Sequence, residues 1–361
     1  MTERVLTQRE LNRALLARQL LLARSKLPLS RALEQVAGLQ TQYAPSAYVR
    51  LWSSLEGFAL ADLTRALERK RAIQATLMRS TIHVVSRRDY WLLAEGVGPS
   101  RQEWSLRTNR RQVGDAPVDL DAIAAQLRRE LAGRTWHRKE VDSLLRSHGG
   151  SIWTGAWVEL VRVPPSGTWE RRRADLFALA SDWIGPSDAN EARGIEHLLR
   201  RYLQGFGPAR LLDAADWAGV PTAKVRAAAE RLRLRTFRDE DGRELVDLPR
   251  APLPGDVAAP ARFLPTWDAT LLVHARRTQI LPERFRPLIF HTKAPQSFAT
   301  FLVDGAVAGV WRVERAKERA TLVLEPFEPL PRPAERELRD EGERLVRFHE
   351  RDATSYAVRP A

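Results

Sequence analysis

Apolar residues recur at helical intervals over positions 7–24, "TQRELNRALLARQLLLAR", and predict an amphipathic helix. A second helix is predicted over 29–42, with Leu33, Val36, Ala37 and Gln40 along one stripe. The segment "AYVRLWSSL" (47–55) makes a third, and a fourth runs from about Ala59 to Lys70, with Asp62 inside it. The period then changes. "AIQATLMRSTIHVVS" (72–86) carries Thr76, Thr81, Ile82, Val84 and Val85, which favour strands, with a turn near Arg79 and Ser80. Helices followed by a hairpin is the winged-helix order.

The pattern recurs twice. Helices over 118–133 and 138–149 lead through "SIWTGAWVELVRV" to a wing at "GTWERRRADLFALA". Helices over 190–207, 209–219 and 222–233 follow, the second turning at Gly219 and the third with Thr222 as its N-cap. A hairpin around Asp241–Gly242 closes that copy. Residues 248–262, "LPRAPLPGDVAAPAR", are Pro-rich and read as a linker. Beyond it, "LLVHARR", "PLIFHT", "SFATFLVDGAVAGVWRVER" and "RATLVLEPF" read as strands, with a hairpin turn at Val303–Asp304–Gly305 and a closing helix over 334–350. The expected fold class is therefore α+β. Three tandem winged helices span 1–100, 101–187 and 188–250, and a small β-rich domain spans 260–361.

At 361 residues the chain exceeds a single ordinary core, and its 44% hydrophobic content suffices to bury several. There is no cysteine, which excludes disulfides, thiolate metal sites and cysteine nucleophiles. No apolar run is long enough to span a membrane or to serve as a signal sequence, so a soluble cytoplasmic protein is expected. The net charge of +13 changes the picture more. Arginine makes up 52 of the 58 basic residues, and its forked guanidinium binds phosphate bidentately, which suits a nucleic-acid partner. A GC-rich codon bias accounts for arginine over lysine, but not for the excess of positive charge.

Familiar chemistry is absent. The seven histidines, at 83, 137, 148, 197, 274, 291 and 349, lack metal-ligand spacing, and there is no phosphate-binding loop, dinucleotide fingerprint or nucleophile elbow. No metal or cofactor is expected. What remains is "GLQTQYAP" (38–45), with Gln40 and Gln42 one residue apart. On an ideal helix, positions two apart point about 200° from each other. Pro45 disfavours the α region at Ala44, so the helix is expected to end near Gln42 or Tyr43, where a departing chain can aim both amides into one cleft.

Three blocks together resemble the bacterial AlkZ/YcaQ-like DNA glycosylases: the Gln-x-Gln of "GLQTQYAP", the hairpin "TLMRSTIHVVSRRDYW" (76–91) and "FLPTWDATLLVHARRTQILP" (263–282). The resemblance covers nearly the whole chain, with 100–200 matching only in pattern. It implies three winged helices and a C-terminal β-barrel-like domain forming a C-shaped cleft around duplex DNA. It implies catalytic roles for Gln42, which would position water, and for Gln40, which would meet the lesion or the deoxyribose. DNA contacts are expected from Arg79, Thr81 and His83 on the first hairpin, and from His274, Arg276 and Arg277 opposite; Trp267 and Asp268 are either a packing corner or a contact. The third module, with Lys224, Arg226, Arg231 and Arg233 on one helix but an acidic hairpin tip, is expected to be scaffold. Interstrand crosslinks are possible targets by the same resemblance.

Two amides can do glycosidic chemistry only under one condition. O-glycosidases use paired carboxylates because an alkoxide leaves poorly. An amide is neither acid nor base at neutral pH, but it can orient water and turn a carbonyl dipole toward a developing oxocarbenium ion. That suffices when the leaving group is cationic before cleavage, as an N7- or N3-alkylated purine is. With no lysine near the glutamines in sequence, hydrolysis without a Schiff-base step is expected, by a probable monomer acting on duplex DNA. Asp62 and Asp89 are weaker candidates as bases. The alternative reading is a non-catalytic tandem winged-helix regulator of transcription.

Overall fold

The computed structural model describes residues 4–113, 119–148, 156–272, 275–290 and 297–361. After strand β1 (Val5–Leu6), helix α1 (Gln8–Arg18) starts on a capping box in which Thr7 and Glu10 bond each other's backbone N–H. It ends sooner than predicted, with Leu20 at φ 58°. Helix α2 (Leu29–Gln35) is also shorter than predicted. Ala37 and Gly38 reverse the chain at φ 63° and 77°, and a Cβ on Gly38 would stand 2.8 Å from Val85 Cγ1, so glycine is required there. Gln40 consequently lies on strand β2 (Leu39–Gln40), not on a helix. Helix α3 (Ala44–Ser54) then begins where the sequence pattern predicted an ending. Pro45 sits in its first turn, where a missing N–H costs nothing.

Helix α4 (Leu60–Glu68) precedes the predicted hairpin, β3 (Ala72–Thr76) and β4 (Ile82–Ser86). A 27-residue helix follows, α5 (Arg87–Val113), whose length the sequence pattern did not announce. The second module comprises α6 (Leu120–Leu131), β5 (Trp136–His137), α7 (Arg138–Ser147), β6 (Leu160–Arg162), β7 (Leu176–Leu179) and α8 (Ala180–Ile184). Its own core gathers Leu127, Leu131, Val141, Leu145 and Phe177. The two hairpins are not separate: β2, β4, β3, β6, β7 and β5 form one six-stranded sheet in that order, with Gln74 opposite Arg162 and Ala75 opposite Val161.

The third module has α9 (Glu191–Phe206), α10 (Leu211–Ala218), α11 (Thr222–Glu230) and the hairpin β8 (Arg235–Asp239) and β9 (Glu244–Asp247), to which β1 adds in parallel. Thr222 opens α11 as its first residue; the cap is Pro221, with no side-chain bond. Helices α5 and α9 cross so closely that a Cβ on Gly194 would lie 2.5 Å from Gly96 N and 2.6 Å from Leu92 O. Both obstacles are backbone and cannot step aside. Gly194→Ala should therefore cost about 1–3 kcal/mol, read as a lower urea midpoint at unchanged slope. The largest apolar core runs through this crossing, joining Leu15, Ile73, Leu93, Val161, Leu198 and Leu264.

The last segment comprises β10 (Arg262–Leu264), α12 (Arg286–Ile289), β11 (Thr300–Val303), β12 (Ala306–Ala316), β13 (Arg319–Pro326), α13 (Arg332–His349) and β14 (Ser355–Pro360). The expected barrel is replaced by an open five-stranded sheet, in the order β10-β11-β12-β13-β14, without closure between its ends. Two predicted strands are absent. Leu271 lies in a turn and Leu272 in a bend, and Pro287, Leu288 and Ile289 of "PLIFHT" belong to α12, with Phe290 in an isolated bridge to Ser297; Val273, His274, His291 and Thr292 fall outside the described residues. No helix among the described residues is long and apolar enough to cross a membrane.

Candidate active site

Gln40 pairs with His83 across β2 and β4, and the ladder continues one step further, Thr41 N–H donating to Ile82 O (2.8 Å). Side chains two apart on an extended chain share a face. Gln42, however, lies past the strand in a bend, and the two amides line different cavities: Gln40 borders a small one with Gln19, Arg50 and Asp268, and Gln42 a larger cleft. At Gln42 the strand has ended and the side chain takes over its pairing: Ile82 N–H donates to Gln42 Oε1 (2.7 Å). That bond fixes which way round the amide sits. The oxygen faces the strand and keeps a second lone pair, and the Nε2 group has no protein partner among the described residues. Gln42 is exposed, and it lines an open cleft of about 570 Å³ walled by β3, α5, α7 and the second hairpin.

Gln40 is set differently. Its side chain is only 7% exposed, and Arg79 Nη2 donates to its Oε1 (2.9 Å). Arg79 stands at φ 50°, in the tight turn between β3 and β4, and its Nη1 donates to Trp217 O at the end of α10 (2.5 Å). Burial, and to a smaller degree the neighbouring Arg277, lower the Arg79 guanidinium to about 10, against a smaller upward pull from Tyr202 and Asp216; it stays charged at neutral pH. The third module thereby braces the first glutamine through one arginine.

The expected DNA contacts fare unequally. His83 is buried, and burial with the nearby Arg79 charge lowers it to about 3, so the ring is neutral; its Nδ1 lies 3.0 Å from Thr81 O and must carry the proton there. A buried neutral ring cannot grip phosphate, and His83 leaves the contact set. Arg277 leaves it too: it is 6% exposed and spent on the Ala269 and Thr270 carbonyls and the Tyr202 hydroxyl. Thr81 is half-buried and donates to Met78 O within its own turn (2.9 Å). Arg276 is exposed but paired with Glu283 (2.6 Å). His274 lies outside the described residues. Asp268 forms a buried ion pair with Arg50 (2.9 Å), which makes the "TWD" stretch a packing corner. Asp62 caps α4, and Asp89 ties α5 to α9 through His197 and Arg201, so neither serves as a base at the glutamines.

Sequence reasoning missed the cleft's other residues. Arg101 and Trp104 come from α5, Arg138 from α7 and Arg162 from β6, with the carboxylates Glu95, Asp142 and Glu159 among them; among the described residues no lysine lines it. No spacing could have found these arginines among 52. Among the described residues, no three histidine, aspartate or glutamate side chains converge as a metal cluster.

The cleft thus sets a neutral amide near several arginines, with three carboxylates among them. The family model described as AlkZ-like DNA glycosylase matches residues 33–348. The chain belongs to that family, and with it to the DNA glycosylases, enzymes of DNA repair. Its fold is similar to the solved structure of the Streptomyces sahachiroi DNA glycosylase AlkZ, with a TM-score of 0.79 over 99% of this chain and 100% of that one, at 19% identity. No curated protein sequence matches the chain.

Proposed function

We propose that the protein hydrolyses the N-glycosidic bond of cationic N7- or N3-alkylated purines in duplex DNA, with Gln42 positioning the water. One observation carries this reading: Gln42 is held by its oxygen on Ile82 N–H and turns its remaining hydrogen-bonding capacity into the cleft. Its free lone pair can accept a water proton, and its N–H groups can hold a second oxygen. Neither can protonate a leaving group, so the base must depart by itself, as a cationic purine does. Gln40, buried and fastened to Arg79, serves as the support that sets the strand. Among the described residues no lysine lines the cleft, which favours hydrolysis over a Schiff-base lyase step. The cleft's volume and openness suit bulky adducts, and crosslinked purines fall within the class. The three helix-and-hairpin modules are read as winged helices around the duplex, in a monomeric cytoplasmic enzyme.

The test is a duplex carrying 7-methylguanine. Free 7-methylguanine and an alkali-labile abasic site are expected, with the strand unbroken before alkali. Binding without release from any alkylated duplex would overturn the reading. Arg79→Met should slow release about ten- to hundredfold by loosening Gln40, while the salt dependence of DNA binding stays at wild type. A changed salt dependence would return Arg79 to the DNA contacts.

A further inference from the structure

Two arginines of the cleft form no ion pair among the described residues. Arg162 is 8% exposed, and among the described residues its guanidinium makes one hydrogen bond, Nη1 to Thr76 Oγ1 (3.0 Å). Arg101 donates to the Thr76 carbonyl (2.6 Å) and to Ala156 O (3.3 Å). The Nε of each is buried without an acceptor. Neither meets a carboxylate. Other deeply buried arginines do: Arg13 faces Asp304, Arg18 faces Asp247 and Arg50 faces Asp268. Arg162 is buried and Arg101 half-buried, and a guanidinium held in a cleft without an ion pair gains by meeting an anion there. Burial lowers both guanidinium groups, and Arg138 and Arg101 lower Arg162 further, to about 10.

The carboxylates of the same cleft are otherwise engaged. Asp142 pairs with Arg138 and Glu159 with Arg128, while Glu95 is raised by burial and by Glu159, against a smaller downward pull from Arg128. The position of the arginines relative to Gln42 is set by the sheet. Thr76 holds both of them, through its carbonyl and its hydroxyl. Its cross-strand neighbour is Ile82, and Ile82 N–H holds Gln42. Thr76, which anchors both cations, is therefore one strand spacing, about 5 Å, from the backbone that fixes the amide.

We propose that Arg101 and Arg162 form a phosphate seat that takes a phosphodiester of the DNA strand beside the sugar presented to Gln42. The forked guanidinium suits two phosphate oxygens, and the flanking phosphodiester is covalently tied to the sugar that must be held against the water. The seat rests on the DNA-acting function proposed above, but not on base release.

Its test is binding of a fluorescent undamaged duplex across a salt series. Arg162→Gln and Arg101→Gln should each reduce the slope of log K against log salt by about 0.9, the loss of one phosphate contact, and weaken damaged and undamaged duplexes alike. Folded variants with wild-type slope and affinity overturn the seat. Should Arg162→Gln fail to fold, single methylphosphonate substitutions along the duplex probe the unaltered protein: one linkage flanking the lesion should dominate the loss of affinity, and equal effects at every linkage overturn the proposal. Inorganic phosphate is the second arm. Stabilisation by phosphate over chloride at equal ionic strength, lost in Arg162→Gln while the duplex slope is unchanged, would make this a site for free phosphate and overturn the DNA assignment. Base release is measured separately. A wild-type protein that releases no base but shows the slope change loses the glycosidic reading and keeps the seat.

Discussion

Gln42→Ala is expected to lower the rate of 7-methylguanine release by about 10²–10³-fold, the usual loss when one preorganised dipole is removed from a reacting centre. Affinity for undamaged duplex should be unchanged. The side chain is exposed and its one protein bond is to Ile82 N–H, at the end of a strand, so truncation leaves a donor that water can reach and no cavity. The fold has little to lose, and a fall in rate can be read as chemistry. Gln42→Glu sharpens the point. A carboxylate keeps the acceptor that both Ile82 N–H and a water proton need, and it adds charge facing the developing oxocarbenium ion, so release should persist. Gln42→Leu keeps the bulk without the acceptor and should behave as alanine does. Release at the wild-type rate from Gln42→Ala would remove this residue from the mechanism; equal loss in alanine and glutamate variants would move the essential contact from the carbonyl to the N–H groups.

Why was the Gln-x-Gln legible and the conformation of its first glutamine not? The Gln-x-Gln stands out because an apolar run ends in two amides, and the hairpin after it stands out because β-branched residues alternate over 72–86. Helical spacing through Leu33, Val36, Ala37 and Gln40 was real but misleading. Ala37 and Gly38 in left-handed conformations break the helix, and only the tertiary contact of Gly38 with Val85 makes that break obligatory. The same override erased the strand predicted at "LLVHARR", whose Arg277 is drawn into the interior by Tyr202. The parallel additions of β1 to β8 and of β14 to β13 join segments far apart in sequence and leave no local mark. The cleft arginines are the extreme case. Arg101 and Arg162 are set apart by lining the cleft without an ion pair among the described residues, a property of the fold and not of any motif.

Asp247→Ala is expected to destabilise the protein by about 3–5 kcal/mol, the range for removing one partner of a buried ion pair. Arg18 and Asp247 are both 0% exposed and form a two-pronged pair, Nη1 to Oδ1 at 2.7 Å and Nη2 to Oδ2 at 2.9 Å. Arg235 Nη2 and Leu248 N–H also donate to the aspartate, and Arg18 reaches the Leu203 and Pro252 carbonyls. One pair therefore ties α1 to α9, to β9 and to the Pro-rich segment beyond it. Removing the carboxylate strands a charged guanidinium where water does not reach, and the carbonyls that remain cannot neutralise it. Asp247→Asn keeps an acceptor for one prong and should cost less than alanine. Arg18→Met, which removes the cation, should in turn leave a buried carboxylate facing Arg235 alone. Urea unfolding of the three variants ranks them directly. If Asp247→Ala unfolds at the wild-type midpoint, the pair does not hold the N-terminal helix to the third module. Because Arg79 braces Gln40 against Trp217 of that module, base release should decline with the stability of this joint even though Asp247 lies outside the cleft.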